Sequence, residues 1–200
     1  MKISNISKSY PESNFSLEVK TLNLVGNINV IIGENGSGKS VLLKEVMKMS
    51  SAVLLLQNPY IFNKKVYKTL EFIKKVSNST LDVNEVLEMV NLNDQSNYNS
   101  LSLSGGQKQR LAFAMIIMSE KDFILLDEPF NGIDVYSQKL IVDLIKKMNN
   151  KKFVIVTHKL NHAKSFGDNF IFMEKGKIMW EGDKQTFFTN ELVNEFVLYE

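Results

Sequence analysis

The chain has 200 residues, of which 24 are basic and 22 acidic, for a net charge of +2. That length suits one domain with a real core, the near balance of charge gives no electrostatic case for a nucleic-acid partner, and the lack of cysteine excludes a disulfide framework or a thiolate metal site. No apolar run approaches the ~20 residues that cross a bilayer, and Met1-Lys2-Ile3-Ser4-Asn5 lacks the apolar core of a signal peptide, so a cytoplasmic protein is expected.

In chain order, Asn29-Val30-Ile31-Ile32 is apolar and β-branched and predicts a buried strand. Gly33-Glu34-Asn35-Gly36-Ser37-Gly38-Lys39-Ser40 follows, with the Gly-x4-Gly-Lys-Ser/Thr spacing of a P-loop. Val41 to Met47 then has helical apolar spacing. Strand, glycine loop and helix start aim several backbone N–H groups and a helix dipole at one spot, a natural seat for a phosphate chain. Gly33, Asn35, Gly36, Ser37, Gly38, Lys39, Ser40 and Val41 are the expected nucleotide contacts. Lys39 would reach the β- and γ-phosphates, and the Ser40 hydroxyl would ligate Mg²⁺.

Ala52 to Leu56 predicts a second strand, ending at Gln57. Glu71 to Val76 and Val83 to Val90 have helical spacing, and Asn91 to Ser100 reads as a polar loop. In Leu101-Ser102-Leu103-Ser104-Gly105-Gly106-Gln107-Lys108-Gln109-Arg110, Ser104 is a good N-cap, followed by glycines that allow close backbone approach. These residues alone fit either an anion-binding helix start or an ordinary capped helix. Phe123-Ile124-Leu125-Leu126 predicts a strand buried on both faces, and Asp127 and Glu128 at its carboxyl end are costly to bury without a polar or metal site. Phe153 to Thr157 predicts another strand, ending at His158. His162 has no comparable context and reads as a surface residue.

Ser104-Gly105-Gly106-Gln107 with Lys108-Gln109-Arg110 resembles the signature of ATP-binding-cassette (ABC) ATPases, and the resemblance spans nearly the whole chain. It implies that Ser104, Gly105, Gly106 and Gln107 close over ATP held by the P-loop of a second subunit. It implies that Asp127 holds Mg²⁺ indirectly, through water or another ligand, that Glu128 polarises the attacking water, and that His158 is the switch histidine at the γ-phosphate. Gln57 resembles the Q-loop glutamine, touching Mg²⁺ and sensing a permease. Tyr10 resembles the aromatic that stacks on adenine, with a half-buried strand-end tyrosine as the plain alternative. Asn131-Gly132-Ile133-Asp134 stands where the family has its D-loop; Asp134 matches the pattern and Asn131 does not. Lys175 to Gly182 resembles the late hairpin.

Two departures stand out. Val41 occupies a position where the family usually has Thr. Only about 18 residues separate Lys39 from Gln57, roughly half the family's usual length, and the missing stretch normally forms an antiparallel hairpin. The expected fold is therefore α/β: a P-loop NTPase core over 1–57 and 113–200, a helical subdomain over 58–112, and a reduced antiparallel β subdomain, all in one domain. The implied function is the ATPase subunit of an ABC transporter, with ATP and Mg²⁺ as cofactors. It would dimerise on ATP, with a second copy or with a different ATPase subunit, to drive a separate permease received near Gln57 to Phe62, at the inner face of the membrane. Tyr60, Ile61 and Phe62 either meet that permease or pack inside the helical subdomain. Phe187-Phe188 and the free-standing cassette favour an importer, which would add a substrate-binding protein. The alternative is a soluble, non-transport ABC ATPase.

Overall fold

The computed structural model describes residues 1–158 and 160–190, leaving aside the side chains of residues 13 and 160–162, so the reading of His162 lies outside the described residues. Two sheets organise the chain. A two-stranded antiparallel sheet pairs β1 (Lys2–Tyr10) with β2 (Phe15–Asn23). A six-stranded sheet contains β3 (Ile28–Ile32), β4 (Val53–Leu55), β5 (Phe123–Asp127), β6 (Lys152–Val156), β7 (Asn169–Glu174) and β8 (Lys177–Asp183). Its order is β4-β5-β6-β3-β7-β8, parallel except for the last, antiparallel strand.

Side chains along the central strands alternate between two apolar clusters, as the period of two demands. Val30 and Ile32, Ile124 and Leu126, Phe153 and Ile155 enter one cluster. Ile31, Leu125, Val154 and Val156 enter the other. The first cluster is completed by the helices α2 (Val66–Ser77), α3 (Val83–Met89), α4 (Gly105–Met118) and α5 (Val135–Lys147). The second is completed by α1 (Lys39–Lys48) and by Ile6, Leu17, Val19 and Leu22 of the small sheet. With both faces covered, near-continuous apolar strands are what a parallel sheet requires. Two short helices, α6 (Leu160–Phe166) and α7 (Lys184–Phe187), flank β7 and β8.

After α1 the chain passes directly to β4, and the antiparallel sheet has two strands. The short Lys39–Gln57 spacing thus has the consequence expected of it, a reduced antiparallel part. The segment 58–112 contributes α2, α3 and the start of α4. α4 runs on through Phe113, so the expected boundary at 112/113 falls inside one helix whose core face is continuous with the main cluster.

Candidate functional site

Four parallel strands deliver the site, each at its carboxyl end, where an open α/β sheet forms its ligand crevice. β3 leads into the glycine loop, β4 into Gln57, β5 into Glu128 and β6 into His158. A cavity of about 370 Å³ opens there. Of the residues expected from sequence, Asn35, Gly36, Gly38, Lys39, Ser40, Val41, Gln57, Glu128 and His158 line it. Gly33 and Ser37 stand behind the lining: the Ser37 hydroxyl is buried without a hydrogen-bond partner among the described residues.

The loop turns into α1 through Gly38, the N-cap, at φ 100°. That left-handed conformation suits glycine. A β-carbon there would also lie 2.7 Å from the Phe15 ring. Lys39 is buried, and its Nζ donates to the carbonyls of Gly33 at 2.6 Å and Glu34 at 2.8 Å. The ammonium is thus held over the loop, where a phosphate could exchange for those carbonyls.

Ser40 Oγ donates to Asp127 Oδ1 at 2.9 Å. Asp127 is buried, and that desolvation pushes its carboxyl above the usual range despite the Ser40 hydrogen bond and the charges of Lys44 and Lys39. A desolvated carboxylate and a hydroxyl side by side are hard oxygen donors suited to Mg²⁺. No group of three His, Cys, Asp or Glu that could hold a metal occurs among the described residues, so the donor set fits an ion sharing its coordination with phosphate oxygens and water.

Glu128 is a non-glycine residue at φ 47°, a conformation worth of order 1–3 kcal/mol of strain that tends to persist at functional sites. Its amide donates to Val156 O at 2.9 Å and its carbonyl accepts from Asn131 N at 3.1 Å, which locks the turn. Its Oε1 lies 2.9 Å from His158 Nδ1. His158 is partly exposed, so the pair stands at the cavity wall rather than beneath it.

Some expected residues fall elsewhere. Tyr10 does not line the cavity; Phe15 does. The two are cross-strand partners, with ring centroids 6.2 Å apart. Phe15 is a cavity residue that sequence reading passed over, and Asn131, set aside there for departing from the D-loop pattern, lines the cavity as well. Phe15 lacks a motif of its own, although its place opposite Tyr10 on a hairpin was a usable signal. Ser104, Gly105, Gly106, Gln107 and Asp134 are also absent from this cavity. Ser104 and Gln107 form a reciprocal capping box at the start of α4. Asp134 caps α5, accepting from Ser137 N at 2.9 Å and Ser137 Oγ at 2.8 Å; the backbone bond first, then the hydroxyl, hold its carboxyl below the usual range. A β-carbon on Gly106 would lie 2.0 Å from Asp134 Oδ2, whereas one on Gly105 would meet only Gly132 O at 3.7 Å. Gly106 is therefore explained by packing within this chain, and Gly105 is not.

The family model of ABC transporters matches residues 14–131. The chain belongs to the ABC transporter family. It is an ATPase. It is 30% identical, over 92% of its length and 71% of the relative's, to the molybdate/tungstate import ATP-binding protein WtpC of Methanocaldococcus jannaschii. It is 28% identical, over 85% of its length and 79% of the relative's, to the phosphate import ATP-binding protein PstB 1 of Lactiplantibacillus plantarum. In fold it is similar to the ADP conformation of an ATP-binding cassette of an ABC transporter, with a TM-score of 0.79 and 21% identity over 100% of both chains. It is also similar to a dimeric post-hydrolysis cassette bound to ADP and Pi, with a TM-score of 0.77 and 24% identity over 92% of this chain and 98% of that one. Among the described residues no helix of this ABC ATPase is long and apolar enough to cross a membrane.

Proposed function

We propose that this chain is the ATP-hydrolysing subunit of an ABC importer, that it dimerises on ATP, and that the dimer drives a separate membrane permease. The observation that carries the reading is the division of the site. The P-loop, Gln57, Glu128 and His158 share one cavity, while Ser104 and Gly105 lie outside it on an open helix start. A second copy that applies its own α4 start to this cavity would complete the enclosure, and the dimeric cassette of similar fold supports that arrangement. Relatives named for import of molybdate/tungstate and phosphate support the importer and its permease.

In the proposed roles, Lys39 neutralises phosphate charge, and the glycine-loop amides and the α1 dipole hold the phosphate oxygens. Ser40, Asp127 and Gln57 would hold Mg²⁺, which would supply charge neutralisation at those oxygens. Glu128 takes the proton of the attacking water as general base, and His158 orients its carboxylate through the 2.9 Å contact. Phe15, with Tyr10 behind it, offers the base a stacking face. Tyr60 is exposed and stacks edge-on against Phe62, which favours a permease contact over burial inside the helical part.

The test uses Glu128→Gln protein with ATP and Mg²⁺ in light scattering. A dimer that forms with ATP and not with ADP is expected, and Gly105→Asp in the same background should abolish it while leaving monomer binding intact. An unchanged dimer in the double variant would remove α4 from the interface. Co-purification of a membrane protein with the native chain separates the importer from a soluble ABC ATPase.

A further inference from the structure

We infer that the outer face of α2 is a contact surface for an anionic lipid bilayer, an inference that rests on the reading of this chain as a transporter subunit working beside a membrane. A wide groove of about 960 Å³ runs along α2, lined by Lys64, Lys65, Lys68, Lys74 and Lys75 with Phe72 among them. Its single acidic residue is Glu71. Five lysines against one glutamate give this face a charge of +4, twice that of the entire chain. Lys68 pairs with Glu71 at 2.6 Å, and Lys74 donates to Leu81 O at 2.6 Å. Lys64, Lys65 and Lys75 have no acidic partner among the described residues.

Helical spacing sorts α2 into two apolar stripes. Val66, Thr69 and Leu70 face the core and are buried. Phe72 and Val76, one turn apart, are 42% and 65% exposed, with Lys65, Lys68 and Lys75 on the same outer face at i±3, i±4 and i±7 spacings. Phe72 borders the region proposed for the permease, its ring centroid 5.4 Å from that of Phe62, and the lipid surface runs the other way, toward Val76. The burial of one stripe by the core leaves Val76 and the outer edge of Phe72 uncovered among the described residues.

Charge complementarity calls for an anionic occupant. The choice of residues says which kind. All the cations are lysines, mobile point charges that suit a diffuse anionic surface; a specific carboxylate or phosphate contact is better met by the rigid fork of arginine. Exposed aromatic and aliphatic side chains between lysines match the headgroup boundary of a bilayer, where rings insert and ammonium groups reach the lipid phosphates. An acidic protein segment would use the charges but would leave Phe72 and Val76 without a role.

The experiment is flotation of the purified full chain with vesicles of phosphatidylcholine, with and without about a third phosphatidylglycerol. Binding to anionic vesicles should exceed binding to neutral ones by at least ~10-fold and collapse at ~0.5 M salt, where screening is within a few ångströms. Lys65→Gln/Lys68→Gln/Lys75→Gln should lower partition by ~10²-fold, at several-fold per lysine. Phe72→Ala should lower it several-fold while leaving its salt dependence unchanged. Equal binding to neutral vesicles, or binding unaffected by the lysine changes, would overturn the inference. So would capture of polyglutamate as tight as that of vesicles and insensitive to Phe72→Ala, since the occupant is then an acidic protein. ATP hydrolysis is measured on every sample. Normal turnover without vesicle binding overturns this inference alone; a native chain with no turnover overturns the transporter-ATPase reading instead.

Discussion

Glu128 Oε1 and His158 Nδ1 stand 2.9 Å apart across the carboxyl ends of two adjacent strands, β5 and β6. The register sets this distance: Asp127 pairs with Val156, so the residues just beyond each strand end meet. The left-handed turn at Glu128, fixed by its amide on Val156 O, holds the carboxylate there. In the proposed roles, this strained acid and the histidine beside it at the cavity wall would be a base positioned before substrate arrives.

From this pair comes the first expectation. Glu128→Gln keeps the shape and the contact to His158 but removes the charge that would accept a proton. Hydrolysis should fall by ~10²-fold or more, the size of a general-base contribution, while ATP binding persists. Steady-state phosphate release beside a nucleotide titration measures both, and near-normal turnover refutes the role. His158→Ala should lower kcat less and leave the KM for ATP close to its native value.

In the proposed site, nucleotide binding would divide between Lys39 at the phosphates and Phe15 at the base. Lys39→Ala removes the buried ammonium over the loop and should abolish turnover and weaken ATP affinity without unfolding the domain. Phe15→Ala should raise the KM for ATP by ~10-fold, the worth of one stacked base, with kcat little changed; Tyr10→Ala should do less, because its ring lies beyond the cavity wall. Calorimetry on the three variants decides, and equal losses at Phe15 and Tyr10 would mean that the two rings act as one platform.

The two signature glycines should behave differently in the monomer. Gly106→Ala drives a methyl group against Asp134 and Ser137, and overpacking of this kind costs about 1–3 kcal/mol. Gly105→Ala meets nothing closer than 3.7 Å and should leave monomer stability unchanged or slightly raised. Urea unfolding of both is the measurement; a destabilised Gly105→Ala would show that the α4 start is already packed within one subunit.

Asp127 links the site to pH. Burial raises its folded carboxyl above the ordinary value of 3.8. A raised carboxyl favours the protonated form when folded, so its contribution to stability is fully present below 3.8 and is lost as pH rises through the folded value. At neutral pH the ionised group is therefore a liability for the metal-free protein. Asp127→Asn should raise the melting temperature without metal at pH 7, lose that advantage in acid, and lose the stabilisation that Mg²⁺ with ATP confers on the native chain. An unchanged neutral melting temperature would mean that the carboxylate is already compensated by Lys39, Lys44 and Ser40.

Much of this protein is readable from local pattern. The loop from Gly33 to Ser40, the acids after Phe123 to Leu126 and the capped run from Ser104 each carry their chemistry in residue type and spacing, because phosphate binding and helix capping are short-range demands on the backbone. The buried strands are legible for a similar reason: a parallel sheet covered on both faces needs unbroken apolar runs. The short Lys39–Gln57 span foretold the reduced antiparallel part, since a hairpin needs residues to build it. What depends on pairing between distant segments could not be read this way. The packing of the Phe15 ring against the glycine loop at Gly38 places Phe15, rather than its cross-strand partner Tyr10, at the cavity. The approach of α5 to α4 makes Gly106 and Asp134 packing partners, a contact that motif reading did not foresee. The lysines and Phe72 of α2 are plain in the chain, but only the burial of Val66, Thr69 and Leu70 against the core decides that they face outward together. Contacts within a few residues follow from spacing; contacts between elements follow from which surfaces the common core has already taken.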